Sequence, residues 1–195
     1  ERYEIADVAA KVATAAGSVR VELSGKLEPL LVPAKASVTL QRKSKPQDRQ
    51  IARAKDALRA FLDHAILAAS GRELGWHRAL LVNAGSPGAT EVRFRPFTGE
   101  EAHDYLATLT RDLLAGAHAY LLPCEAVFRA HFRGEPLTAA VDYYRHGDER
   151  LFFSSRGGPV RDPERYPCPG DAEAIVARRF GPFFARLIGD EDGER

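Results

Sequence analysis

The sequence predicts an α/β (α+β) fold, a small mixed sheet flanked by helices, and three observations lead there. Segments of two-residue apolar alternation interleave with segments of helical period, the order that lays helices on a sheet. Apolar residues make up 45% of the 195 and charged residues 28%, which supplies a core and rules out disordered or fibrous classes. Neither an internal repeat nor a low-complexity linker interrupts the chain, so residues 1–195 read as a single domain.

The elements follow in order. Ile5, Val8 and Val12 stand at helical spacing among alanines with Gly17 as a stop, so a short helix is expected over 2–16. Val19, Val21 and Leu23 alternate with Arg20, Glu22 and Ser24, the period of a strand with one buried face. Leu27, Leu30, Leu31 and Val32, then Val38 and Leu40, are short apolar runs broken by Pro29 and Pro33, a strand–turn–strand unit. From Asp48, a plausible cap, Ile51, Ala54, Leu58, Leu62, Ala65 and Ala69 form a helical stripe that runs to Gly71. Ala79–Val82 and the alternating Val92 and Phe94 predict two more strands around a turn at 83–88. Thr98 and Glu101 make a capping box that opens a helix through Leu114 to Gly116. Shorter helices are expected at 124–132 and 136–145, a loop at 154–165, and a last helix from Asp171 kinked at Pro182.

Charge and cysteine content narrow the function classes. Lys and Arg total 28 against 27 for Asp and Glu, so any nucleic-acid site must be a local patch. Cys124 and Cys168 form no C-x-x-C pair, which argues against a zinc site and a disulfide framework and makes a reducing cytoplasm the expected location. The chain starts at Glu1 and holds no Met, which points to a piece of a longer protein. Signal-peptide and membrane-span patterns are absent. Walker and dinucleotide glycine motifs are missing, as is a G-x-S-x-G elbow, so no cofactor and no acyl chemistry are expected. Ser154–Pro159 reads as a surface turn, and Asp142, His146, Asp148 and Glu149 as a solvated helix end. The six histidines show no metal-ligand spacing, so no metal site is predicted.

One constellation carries chemistry. Gly25-Lys26-Leu27-Glu28, then Thr39-Leu40-Gln41-Arg42-Lys43-Ser44 and a helix, has the layout of a PD-(D/E)xK nuclease core, in which carboxylates on successive strands hold a metal that activates water. Glu28 stands for the first acid and Lys43 for the lysine, but Gln41 occupies the place of the second acid. A neutral amide does not supply the charge that magnesium requires, so the site reads as dismantled. Overlapping it, Arg42, Lys43, Lys45, Arg49, Arg53, Lys55 and Arg59 face only Asp48 and Asp56 in the same stretch. Arg49 and Arg53, four apart, belong to one side of a helix opposite Leu58 and Leu62. Arg42, Lys43, Lys45, Arg49 and Arg53 are therefore the candidate DNA-binding residues, since phosphate tracking needs such a surface.

The segment from Leu58-Arg59-Ala60-Phe61-Leu62-Asp63-His64 to Ala68-Ala69-Ser70-Gly71 resembles the helix after the degenerate nuclease core in the C-terminal domain of RecC, the gamma subunit of exodeoxyribonuclease V. Phe94-Arg95-Pro96, the helix with Ala102, Tyr105 and Leu106, the Leu121-Leu122-Pro123 turn and Phe180-Gly181-Pro182-Phe183-Phe184 follow in the same order, over about residues 18–188. The resemblance implies a nuclease-like fold that no longer cuts. It also implies work beside RecB-like and RecD-like helicase subunits on DNA at a fork, in double-strand break repair and recombination. Two other readings stand against it. One is an active magnesium nuclease with a further carboxylate such as Glu22; the other is a protein-interaction module whose basic face meets an acidic partner. Phe152, Phe153, Phe183 and Phe184 are the candidates for an exposed apolar contact, or else for core.

Overall fold

The computed structural model describes residues 3–14, 17–27, 30–31, 36–43, 49–72, 75–83, 89–114, 124–141 and 170–188. It is mixed α and β, as the alternation of periods predicts. Strands β1 (Tyr3–Thr14) and β2 (Gly17–Leu27) form an antiparallel two-stranded sheet. Strands β3 (Leu30–Leu31), β4 (Ala36–Lys43), β5 (Trp76–Asn83), β6 (Ala89–Phe94) and β7 (Leu187–Ile188) form a second sheet in that spatial order. Within it β4 and β5 are parallel, and the other neighbours are antiparallel.

The first element corrects the sequence reading: residues 3–14 are a strand, not a helix. A bulge explains the misleading spacing. Positions 5 and 8, three apart on β1, pair with positions 25 and 23, two apart on β2, because Ala6 and Asp7 together oppose Ser24. An offset of three therefore mimics a helical interval while keeping strand register. Gly17 opens β2 at φ +123°, a conformation glycine adopts without strain.

Helix α1 (Arg49–Ala69) connects the parallel strands β4 and β5, as such pairs require. It is the central element, touching the second sheet, the first hairpin and two other helices. Its buried arc is accordingly wider than the predicted stripe: Ala57, Ala60, Phe61, His64, Leu67 and Ala68 are buried beside Ile51, Ala54, Ala65 and Ala69, while Leu58 and Leu62 are half-buried. Alanine on several of these positions lets neighbouring backbones come close. The helix ends where predicted. Gly71 sits at φ +78°, its amide bonds Ala68 O at 3.0 Å and the Arg72 amide bonds Leu67 O at 3.2 Å, the paired closure of a Schellman motif.

Helix α2 (Gly99–Leu114) begins at the expected capping box: the Thr98 amide donates to Glu101 Oε2 at 2.8 Å and the Glu101 amide to Thr98 Oγ1 at 3.2 Å. Helix α3 (Cys124–Arg133) is followed by Gly134 at φ +64° and a helical stretch over 137–141. Helix α4 (Ala172–Arg186) runs through Pro182 and delivers β7 to the sheet edge. The calls at 115–123, 142–169 and 189–195, including the loop at 154–165, lie outside the described residues. No described helix is long and apolar enough to cross a membrane.

Two apolar clusters result. The larger gathers rings around Phe61, whose centroid lies 5.3 Å from Phe94, 5.4 Å from Phe97, 5.7 Å from Tyr105 and 5.2 Å from Phe183. The smaller joins Ala126, Val127, Leu137, Ala140, Val141, Ala172 and Ile175.

Candidate nucleic-acid interface

The nuclease-core positions fall on the second sheet. Gln41 and Lys43 lie on β4, in register with Leu81 and Asn83 of β5, and α1 follows six positions after Lys43. Glu28 lies outside the described residues. The strand that precedes it, β2, pairs with β1, and the short β3 is what pairs with Ala36 and Ser37 at the start of β4. Glu22, the carboxylate of the active-nuclease reading, is on β2 opposite Ala9, and its side chain is ion-paired with Arg20 at 3.0 Å. Among the described residues, no three His, Cys, Asp or Glu side chains come together as a metal site.

The basic stretch divides by structural context. Arg42 and Lys43 end β4, Arg49 opens α1, and Lys45 lies outside the described residues. Successive strand positions alternate faces, so positions 42 and 43 belong to opposite sides of the sheet. Arg59 is exposed. Two of the remaining cations are engaged in holding α1. The Arg53 guanidinium donates to the Glu91 carbonyl of β6, which makes it a tie between helix and sheet. Lys55 is paired with Glu125 of α3. Burial alone would raise the Glu125 carboxyl, but the hydrogen bonds from Lys55, its own backbone amide and Cys124, with the charge of Lys55, together outweigh it and hold the group below its ordinary value. The adjacent Cys124 thiol, 3.2 Å from Glu125 Oε2, is pushed up to about 12, first by burial and then by that carboxylate, which disfavours its thiolate.

Elsewhere on the sheet, Arg78 and Arg93 both reach Glu91 Oε1, at 3.2 and 3.1 Å. Asp112 of α2 receives Arg178 at 3.0 Å and Arg179 at 2.7 Å from α4. Phe183 is fully buried and Phe184 half-buried, so these two serve the core, while Phe152 and Phe153 lie outside the described residues.

Sequence reasoning missed a polar pair inside the fold. His64 on α1 and His77 on β5 are both fully buried, their rings stacked 4.7 Å apart at 13°. Burial, aided by the cationic Arg186 and opposed by the Arg95 carbonyl, lowers His64 to about 4. Burial and then the neighbouring His64 ring lower His77 to about 3. The two stand thirteen positions apart in sequence; a buried stripe position on α1 for one and alternation with exposed Arg78 on β5 for the other were the available signals.

No protein-family model matches this chain, and no curated protein matches it.

Proposed function

We propose that this chain is a nuclease-like domain that guides DNA without cutting it, acting as a scaffold in a cytoplasmic helicase–nuclease of the RecBCD type, beside RecB-like and RecD-like helicase subunits. The observation that carries the reading is Gln41. It stands in the place of the second metal-binding acid, on a strand that leads through α1 into a parallel neighbour, with Lys43 two positions on. An amide there binds magnesium weakly and cannot help position an attacking water. The positive charge around the β4–α1 junction, from Arg42, Lys43, Lys45 and Arg49 with Arg59 exposed further along α1, supplies the attraction to phosphate that a guiding surface needs. Contacts of this kind position a strand and leave its sequence unread.

Incubating the chain with linear duplex and single-stranded DNA in magnesium or manganese tests this directly. No cleavage is expected. Metal-dependent cleavage that Glu28→Ala abolishes would overturn the reading in favour of an active nuclease.

A further inference from the structure

His64 and His77 are the buried polar side chains among the described residues, and they meet where α1 lies on β5, a central strand of the second sheet. Each ring is neutral for a structural reason. His64 Nε2 is 3.3 Å from the Arg95 carbonyl oxygen, a contact that requires Nε2 to carry the hydrogen and leaves Nδ1 bare. Nδ1 has no hydrogen-bond partner among the described residues. His77 is fully buried against that ring, and its bond to the backbone at Ala60 of α1 only partly offsets the burial that favours the neutral form. A second proton on His64 would thus create a buried N–H with nothing to receive it, beside Phe97 at 5.3 Å.

The charges around the pair oppose protonation. From the end of α4, Arg186 acts on His64 as a like charge; its Cζ lies 3.7 Å over the Phe97 ring. Glu101 of α2 is committed to Arg186 at 3.0 Å and to the Thr98 amide. Tyr105 of α2 donates its hydroxyl to the Arg179 carbonyl. The group acting on His77 is the His64 ring itself.

We propose that the His64–His77 stack is an acid-operated latch on the α1–β5 seam: two neutral rings close it, and one proton on either ring, enclosed away from water and on His64 facing the Arg186 cation, opens it. Opening is local. The smaller cluster, between α3, the helical stretch at 137–141 and the first half of α4, contains no buried histidine among the described residues.

Amide hydrogen exchange of the whole chain, read by mass spectrometry at stepped pH and corrected for intrinsic rates, tests the latch. Segments 57–69 and 76–83 should lose protection as the pH falls below about 6, while 124–141 and 172–178 keep theirs to a lower pH. In His77→Phe, which retains a ring and removes one proton acceptor, the loss in segment 57–69 should move down by about one pH unit. Should that variant not fold, proton NMR of the wild-type imidazole C2–H signals decides the matter. The proposal expects two rings that do not titrate near 6.5 and change together with the opening of α1. Two rings that titrate near 6.5 with α1 still protected, or loss of protection in all segments at one pH, would overturn it.

Discussion

The two apolar clusters of this chain are built in different ways. Around Phe61, rings from α1, β6, α2 and α4 meet at 5.2 to 5.7 Å, and two imidazoles are enclosed with them. The smaller cluster is aliphatic, drawn from α3, residues 137–141 and the start of α4, and Phe180 and Phe184 pack against both. The first region joins elements far apart in sequence with large, directional groups and carries the polar burden. The second is a plain contact between helices. The β4–α1–β5 unit rests on the first, so the geometry of β4 and α1 depends on an aromatic core that encloses two histidines.

The strongest way to break this comparison is to empty each cluster in turn. Phe61→Ala should cost about 3–5 kcal/mol, because a hub ring leaves a cavity that several partners cannot fill. Val127→Ala, in the aliphatic cluster, should cost about 2 kcal/mol. Urea denaturation measures both; equal losses would remove the distinction.

Acid sharpens it next. His64 and His77 sit below their ordinary 6.5 in the fold, at about 4 and about 3, so the unfolded chain takes up protons first as the pH drops. Their contribution is complete above pH 6.5 and is lost progressively from there to about 4 for His64 and about 3 for His77, amounting to about 3 kcal/mol for a single such ring. Glu101, Asp112 and Glu125 are also held low, but their contribution fades only below about pH 4.5. A stability–pH curve from urea midpoints should therefore begin to fall above the carboxylate range, and most of that early fall should be missing from a His64→Phe, His77→Phe double variant that still folds, leaving the part due to His131, which burial also lowers.

The smallest effect is a control on backbone rather than core. Gly71 and Gly134, after α1 and α3, have φ of +78° and +64° with open space where a Cβ would stand. Replacing either with Ala should cost about 1 kcal/mol through left-handed strain. Near-equal losses by thermal unfolding would show that the two regions differ in packing and not in how their helices end.

Much of this was legible in the sequence because its signals were local. The Thr98–Glu101 box, the α1 stripe and Gly71, and the alternation in Val92 and Phe94 each depend on neighbours within a few positions. β1 was misread because a bulge between Ile5 and Val8 turns strand register into helical spacing. At the candidate site, strand alternation sufficed to place Gln41 and Lys43 on β4, while the contacts of the neighbouring cations could not be read. Arg53 meets a carbonyl 38 positions away and Lys55 a carboxylate 70 away, and no local pattern announces either. The histidine stack depends likewise on how α1 lies on β5, a long-range register that one sequence does not display.

The claim that this domain guides DNA without cutting it meets its most direct test in fluorescence anisotropy of a labelled fork, titrated with the chain across a series of salt concentrations. Wild type should bind at low salt, and the affinity should fall linearly with salt on logarithmic axes. Arg49→Glu with Arg59→Glu, which spares the structural ties of Arg53 and Lys55, should bind more weakly with a slope shallower by roughly one unit per lost phosphate contact. No binding at low salt, or a slope unchanged by the double reversal, would contradict the account.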